Sequence, residues 1–213
     1  MEKSLENYRR SYEKHELRRK DLEQHPMLQF QSWFLEAEKV EEVEANAMTL
    51  GTIGKDGFPK NRVVLLKSYS REGFTFYTNY KSEKGRAIEA IPNVCLSFFW
   101  PILERQIIIK GKAEKLSDQL SDKYFESRPE GSRYGAAVSN QSEVVKNRDF
   151  MEKKLQELQE KFPEGKIPRP KHWGGFLVKP VSIEFWQGRA NRLHDRFRYS
   201  REKDSWKIER LAP

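Results

Sequence analysis

The sequence predicts a mainly β fold: a closed or half-closed antiparallel barrel with peripheral helices. Three observations predict it. Short runs rich in Val, Ile, Phe and Thr occur in two batches, residues 48–116 and 174–211, punctuated by turn-forming residues. Apolar residues at helical spacing are confined to segments before, within and between these batches. No break in composition, internal repeat or low-complexity tract divides the 213 residues. A chain of that length buries roughly 70% of its unfolded surface as a single domain.

Composition narrows the function. Forty Lys and Arg against 32 Asp and Glu leave a net charge of +8, which points to anionic partners, whether polymeric, planar or small. Charged residues make up 34% of the chain, but 37% hydrophobic and 12% aromatic residues argue for a packed fold rather than disorder. Cys95 is the sole cysteine, so no disulfide forms within the chain, and a reducing, cytoplasmic setting is expected. The opening MEKSLENYRR has no apolar core of a signal peptide. The longest apolar stretch, residues 94–103, is too short to span a bilayer and is broken by Ser97 and Pro101.

The elements follow in order. Residues 4–22 are highly charged, with Leu5, Tyr8, Tyr12 and Leu17 their sizeable apolar residues, and read as a loosely attached helix or arm; the block 1–22 is expected to be mobile. Phe30, Trp33, Phe34 and Ala37 fall at i, i+3, i+4 and i+7, predicting an amphipathic helix from Pro26 to about Ala45. Strands are predicted at 48–54, 61–69 and 74–78, with turns at Lys55-Asp56-Gly57 and Arg71-Glu72-Gly73. A short helix at 82–91 stops at Pro92-Asn93, and strands resume at 94–100 and 105–116. Ser117 is a candidate N-cap for a helix to about Ser127, and Met151, Leu155, Leu158 and Phe162 space another from about Glu143. After a Pro-rich loop at 163–170, strands are expected at 174–179, 181–187, 193–200 and 206–211.

Familiar motifs are missing. Gly51, Gly54 and Gly57 have the wrong spacing for a dinucleotide fingerprint, and no phosphate-binding lysine loop is present. His15, His25, His172 and His194 lack metal-ligand spacing, so no metal is expected.

What stands out is where the cations sit. Strand alternation would put Arg192, His194 and Arg196 on one face, neighbours roughly 6.5–7 Å apart, which favours an anion or a carboxylate among them. The plainer alternative is a solvated face, or pairing with Asp195. Trp186, near Gly188, could cover a planar ligand, although a core Trp is commoner. Arg62 and Lys67 have opposite parity, so serving one ligand would need a bulge, a twist or a site between two chains. Ser82-Glu83-Lys84-Gly85-Arg86 opens a helix, a natural phosphate cradle that many capped helices nevertheless leave unused. Gln106 shares a strand face with Ile108 and Lys110 and needs a partner, either ligand or backbone. Tyr124 and Arg128, followed by Ser132, form a polar cluster or an ordinary surface pair.

RVVLLK at 62–67, FYTN at 76–79, ERQ at 104–106, YFESRPEGS at 124–132, SNQS at 139–142, and above all FWQG with RLHDRF and the closing WKIERLAP resemble the pyridoxine 5'-phosphate oxidase family. The similarity runs from about Tyr8 to Pro213. It implies an FMN-binding split β-barrel homodimer, with each site built from both chains at the subunit interface. It also implies oxidation of pyridoxine 5'-phosphate or pyridoxamine 5'-phosphate to pyridoxal 5'-phosphate, with O2 reduced to H2O2, in vitamin B6 salvage. The FMN contacts implied are Arg62, Val63, Lys67, Tyr77, Thr78, Lys84, Gln106, Gln141, Ser142, Trp186 and Arg196. The substrate contacts implied are Lys67, Tyr124, Arg128, Ser132, Arg192 and His194, with Arg9 and Tyr12 on an N-terminal lid. Arg192 and His194 are the candidate catalytic residues, for orienting the substrate and assisting proton movement.

One departure is visible. Where the family usually has Ser-Arg-Lys this chain has Ser82-Glu83-Lys84, so Glu83 is expected to turn away and pair with Arg86, with Lys81 or Arg86 substituting electrostatically, and an arginine restored at 83 is expected to tighten FMN binding. Two rivals remain: a split-barrel flavin reductase or flavin carrier, against which the substrate-contact matches count, and a basic nucleic-acid-binding module, against which the embedding of cations in apolar strands counts.

Overall fold

The computed structural model describes all 213 residues except 1–2, 9 and 41–43. Nine antiparallel-type strands and five α-helices are described: α1 (Pro26–Val40), β1 (Ala47–Ile53), β2 (Pro59–Leu65), β3 (Ser68–Ser70), β4 (Gly73–Asn79), α2 (Glu83–Ala90), β5 (Asn93–Trp100), β6 (Arg105–Lys115), α3 (Asp118–Glu126), α4 (Glu130–Val138), α5 (Arg148–Lys161), β7 (Trp173–Gln187), β8 (Asp195–Glu202) and β9 (Ser205–Leu211). Strand order is β2-β1-β5-β6-β7-β4-β3, with β8 pairing β7 and β9 pairing β8.

Several boundaries differ from those expected. The strand read as 61–69 breaks into β2 and β3, because Leu66 turns into the interior and Lys67 N–H bonds back to Thr75 O. The two strands read around Pro180 are one 15-residue strand, β7. Residues 130–138 form an unexpected helix, α4, whose Tyr134 is buried and donates to the Phe162 carbonyl. Of the arm, residues 19–21 make only a single 3-10 turn. The predicted caps hold: Ser117 accepts from Leu120 N–H, and Ser82 from Gly85 N–H. Gly57, at φ +82°, closes the β1–β2 hairpin in a conformation that favours glycine. Among the described residues no helix is long and apolar enough to cross a membrane, and no group of three or more His, Cys, Asp or Glu could hold a metal.

The chain divides into two compact units: Met1–Thr49, Leu96–Lys110 and Pro180–Pro213 form one; Leu50–Cys95 and Gly111–Lys179 form the other. The first is organised around α1. Its Phe30 ring meets Phe98 at 5.3 Å, and its Trp33 meets Phe185 edge-on at 5.2 Å. Tyr199 extends the cluster and donates its hydroxyl to Glu23 O at 2.7 Å. In the second unit Phe74 and Phe76 of β4 and Phe176 and Val178 of β7 are buried in register, Phe74 opposite Val178 and Phe76 opposite Phe176. Phe125 of α3 is also fully buried in this unit.

A buried polar node fastens α1 to the sheet of the first unit. Arg105, only 6% exposed, donates to Gln187 Oε1 at 2.9 Å and Glu36 Oε2 at 2.7 Å, and lies 4.4 Å over the Trp33 ring. Gln187, fully buried, donates in turn to the carbonyls of Leu103 and Glu104. Replacing Arg105 by Ala orphans the Gln187 oxygen and opens a hole, so a loss of about 2–4 kcal/mol is expected. Glu36→Gln, at a half-exposed site, should cost about 1 kcal/mol or less. Urea unfolding midpoints for the two variants check this, and equal losses would refute it.

Candidate functional site

The second unit holds a cavity of about 900 Å3, lined by residues of β2, the β2–β3 link, β4, α2, α3, α4, the α4–α5 loop and the start of β7. Arg62, Lys67, Lys84 and Arg128 line it, and among the described residues no Asp or Glu does. Volume and lining suit a sizeable polyanionic small molecule.

Arg62 reaches across from β2 and donates to Leu50 O at 3.1 Å and Thr52 Oγ1 at 2.7 Å. Both acceptors are neutral, so its charge is oriented without being cancelled. Lys67 lines the same cavity in spite of its opposite parity, because β2 ends at Leu65 and alternation no longer governs position 67. Lys84, in the first turn of α2, is buried and donates to Gln141 Oε1 at 3.0 Å. Burial, aided by the charge of Arg62, pulls its ammonium down to about 8. Thr78 also donates to Gln141 Oε1, at 3.3 Å. Arg128 follows α3 with its guanidinium 4.6 Å over the Trp173 ring, and its Nη1 is buried with no hydrogen-bond partner. Tyr77 and Tyr124 stack at 3.8 Å, and burial raises the pKa of both phenols, keeping them protonated donors.

Val63, Tyr77, Thr78, Tyr124, Ser132 and Gln141 thus line one cavity with the four cations. Ser142 does not line the cavity; at φ +75° it turns its Oγ to accept from Glu83 N–H at 3.2 Å. Glu83 does turn away, but toward Lys60 of β2 rather than Arg86: the Lys60 ammonium grips both its carboxylate oxygens at 2.8 and 2.6 Å. Arg86 instead donates to Lys81 O. Trp173, unmarked by any sequence motif, is a cavity residue that sequence reasoning missed; its signal was a Trp opening a Gly-Gly strand.

The remaining candidates lie in the first unit. Arg192, His194 and Arg196 do not share a strand face: Asn191 and Arg192 take φ of +54° and +61°, and β8 begins only at Asp195. Arg192 is exposed. The His194 ring instead meets Trp186 at 4.6 Å, and Tyr12 packs on both at 6.1 and 5.8 Å. His194 Nδ1 accepts the Arg189 N–H at 3.1 Å, which leaves Nε2 to carry the proton of the neutral ring; burial and then the charges of Arg192 and Arg196 hold it below its ordinary value. Arg196 is paired with Glu184 at 2.8 Å and with Ala212 O. Gln106 sits on the half-exposed face of β6, opposite in parity to buried Arg105, and does not line the cavity. Arg9 lies outside the described residues.

Comparison with known proteins agrees with this architecture. A family described as pyridoxamine 5'-phosphate oxidase matches residues 35–162, and one described as the pyridoxine 5'-phosphate oxidase C-terminal dimerisation region matches 173–213. The chain is 60% identical over 210 residues to a pyridoxine/pyridoxamine 5'-phosphate oxidase of Flavobacterium johnsoniae, covering 98% of each. It is 48% identical to one of Acaryochloris marina, covering 99% of this chain and 96% of that one. Among solved structures, PhzG of Burkholderia lata, in complex with tetrahydrophenazine-1-carboxylic acid, superposes with a TM-score of 0.86 at 28% identity, covering 91% and 95% of the two chains. A pyridoxamine 5'-phosphate oxidase-related, FMN-binding protein of Nostoc punctiforme shares the fold, at TM-score 0.71 and 17% identity over 90% of this chain and 100% of that one. The fold is accordingly the mainly β split barrel, and the chain belongs to the pyridoxine/pyridoxamine 5'-phosphate oxidase family.

Proposed function

We propose that this protein is an FMN-dependent oxidase that converts pyridoxine 5'-phosphate or pyridoxamine 5'-phosphate to pyridoxal 5'-phosphate, acting as a cytoplasmic homodimer in vitamin B6 salvage. The observation that carries the reading is a cavity faced by four cations and, among the described residues, no carboxylate. One carboxylate ligand would leave most of that charge uncompensated, whereas two phosphate esters, each near −2, match it.

The residues fit FMN. Arg62, Lys84, Thr78 and Gln141 stand together at the start of α2, where the helix dipole adds to the cations, and would hold the FMN phosphate. Lys67, Tyr124, Arg128 and Ser132 would hold the substrate phosphate, with the orphaned Nη1 of Arg128 as a ready donor. FMN, when bound, would supply the redox chemistry, a two-electron oxidation at the substrate C4' carbon with O2 as the final acceptor and H2O2 as its product.

Trp186, Arg192, His194, Arg196 and Tyr12 would complete the cavity of a second copy. The match of 173–213 to a dimerisation region supports this. In that role Arg192 orients substrate and stabilises developing charge, since a guanidinium keeps its proton. His194 would offer its Nε2–H as a hydrogen-bond donor, because protonating Nδ1 would forfeit the Arg189 contact. Tyr12 would cover the site from the arm.

The deciding experiment is a visible spectrum of the purified protein, followed by addition of pyridoxine 5'-phosphate under air with peroxide measured. A protein that stays colourless when saturated with FMN refutes the reading. Arg192→Ala and Arg128→Ala should each bind FMN but lose most turnover. Mixed under subunit exchange, the two variants should regain about a quarter of wild-type activity, because half the dimers are then mixed and each holds one intact site. No recovery would mean that both residues serve one site within a chain.

FMN affinity should weaken as pH rises above about 8, where Lys84 in the free protein loses its proton, and binding should then take up protons. Lys84→Met should flatten this profile. Calorimetry in buffers of different ionisation enthalpy reads both, and a wild-type profile level to pH 9.5 excludes Lys84 from the phosphate site. Glu83→Arg should tighten FMN by roughly twofold to tenfold at low salt, the range for reversing one exposed charge and freeing Lys60. Unchanged affinity in a fluorescence titration would place Glu83 outside the field of that phosphate.

A further inference from the structure

Arg105 and Arg169, both with buried side chains, are held by carboxylates. Arg169, whose side chain is 6% exposed, bonds Asp118 at 2.5 Å and Asp122 at 2.6 Å. Arg128 is held differently. Its guanidinium lies 4.6 Å over Trp173 and 5.7 Å from the Phe125 ring centroid, and its buried Nη1 has no partner. A carboxylate would fix the group but cancel its charge and occupy its donors; an aromatic face fixes the plane and leaves both available.

We propose that Trp173 is a positioning residue that holds Arg128, through the indole face, in the orientation that receives the substrate phosphate. The proposal rests on the functional reading above. Trp173 itself is fixed on three sides. It is 6% exposed, it is paired opposite Asn79 in the β4–β7 register, and its carbonyl accepts from Arg169 Nη1 at 2.5 Å. Its ring is also nearly parallel to Tyr124, with 4° between planes and centroids 6.2 Å apart, so one side chain sets two of the groups facing the phosphate.

Substituting Trp173 should therefore act on phosphate binding more than on the chemical step. Trp173→Leu should raise the KM for pyridoxine 5'-phosphate roughly fivefold to thirtyfold, the range for a desolvated cation–π contact, with a smaller change in kcat. Trp173→Phe, which keeps a ring face, should recover much of the loss. Inorganic phosphate titrated into the FMN-loaded protein should weaken in parallel. In a double-mutant cycle the Leu change should add little once Arg128 is already Ala or Lys.

A KM and phosphate affinity that stay put, a fall in kcat alone, or additive losses would each overturn the assignment. If Trp173→Leu does not fold, the Phe variant alone and in combination with Arg128→Lys still decides, since Lys keeps the charge without the flat stacking surface. The phosphate titration needs no turnover. If it weakens as expected while wild-type protein fails to oxidise pyridoxine 5'-phosphate, the clamp stands and the oxidase reading falls.

Discussion

Like charges facing one another across a cavity are the constraint on which the second unit depends. Arg62, Lys67, Lys84 and Arg128 all face one space without a carboxylate among the lining residues, an arrangement that opposes folding unless something holds each cation. Each has a different restraint. Arg62 is tied to two neutral oxygens, Lys84 to Gln141, Arg128 to aromatic faces, and Lys67 follows the end of β2. Restraint by neutral groups fixes position and leaves the field intact. Burial registers as an ammonium at Lys84 drawn to about 8: below that pH the fold works to keep the proton on, and an anion in the cavity relieves the strain. Stability given up here would be recovered on binding an anion.

Cations away from the cavity are treated in the opposite way. Arg196 meets Glu184, Arg169 meets two aspartates, Lys60 meets Glu83, and Arg189 reaches both Glu16 and Asp195. Ion pairs thus take up these cations, whereas the four that line the cavity meet no carboxylate among its described lining residues. Acids in the first unit do a second task, since they anchor the arm. Buried Glu104 accepts the backbone N–H groups of Glu13 and Lys14, and Asp195 accepts that of Leu17, which together with buried Leu17 and Leu22 keeps Tyr12 against Trp186 and His194.

Much of this was legible in the sequence, and the failures share a cause. Periodicity located α1, the hairpins and the caps because these depend on neighbours a few residues away. Alternation also proposed a shared face for Arg192, His194 and Arg196, and there it failed, since two successive left-handed residues delay β8 until Asp195. The same rule set Arg62 and Lys67 on opposite faces until the early end of β2 removed the objection. Motifs named most of the cavity residues, but they could not show that Lys60 would take up Glu83 across 23 positions, nor that Trp173 would lie against Arg128 across 45. Such pairings are made by sheet register and loop path, which local pattern does not encode.

Specificity within such a frame depends on which groups keep hydrogen-bonding capacity once the fold has satisfied itself. Backbone contacts consume the Nδ1 of His194, and Glu184 with the Ala212 carbonyl consumes part of Arg196, so these two residues bring direction more than free charge. Arg128 keeps a bare Nη1, and the two stacked tyrosines keep their protons because burial makes phenolate unfavourable. A ligand rich in acceptor oxygens satisfies these donors together, whereas a neutral or singly charged one of equal size would leave several of them desolvated and unmet. The proposed preference for phosphate esters would therefore follow from what the protein leaves unpaired, and the aromatic faces matter because they are the restraint that leaves the Nη1 of Arg128 without a partner.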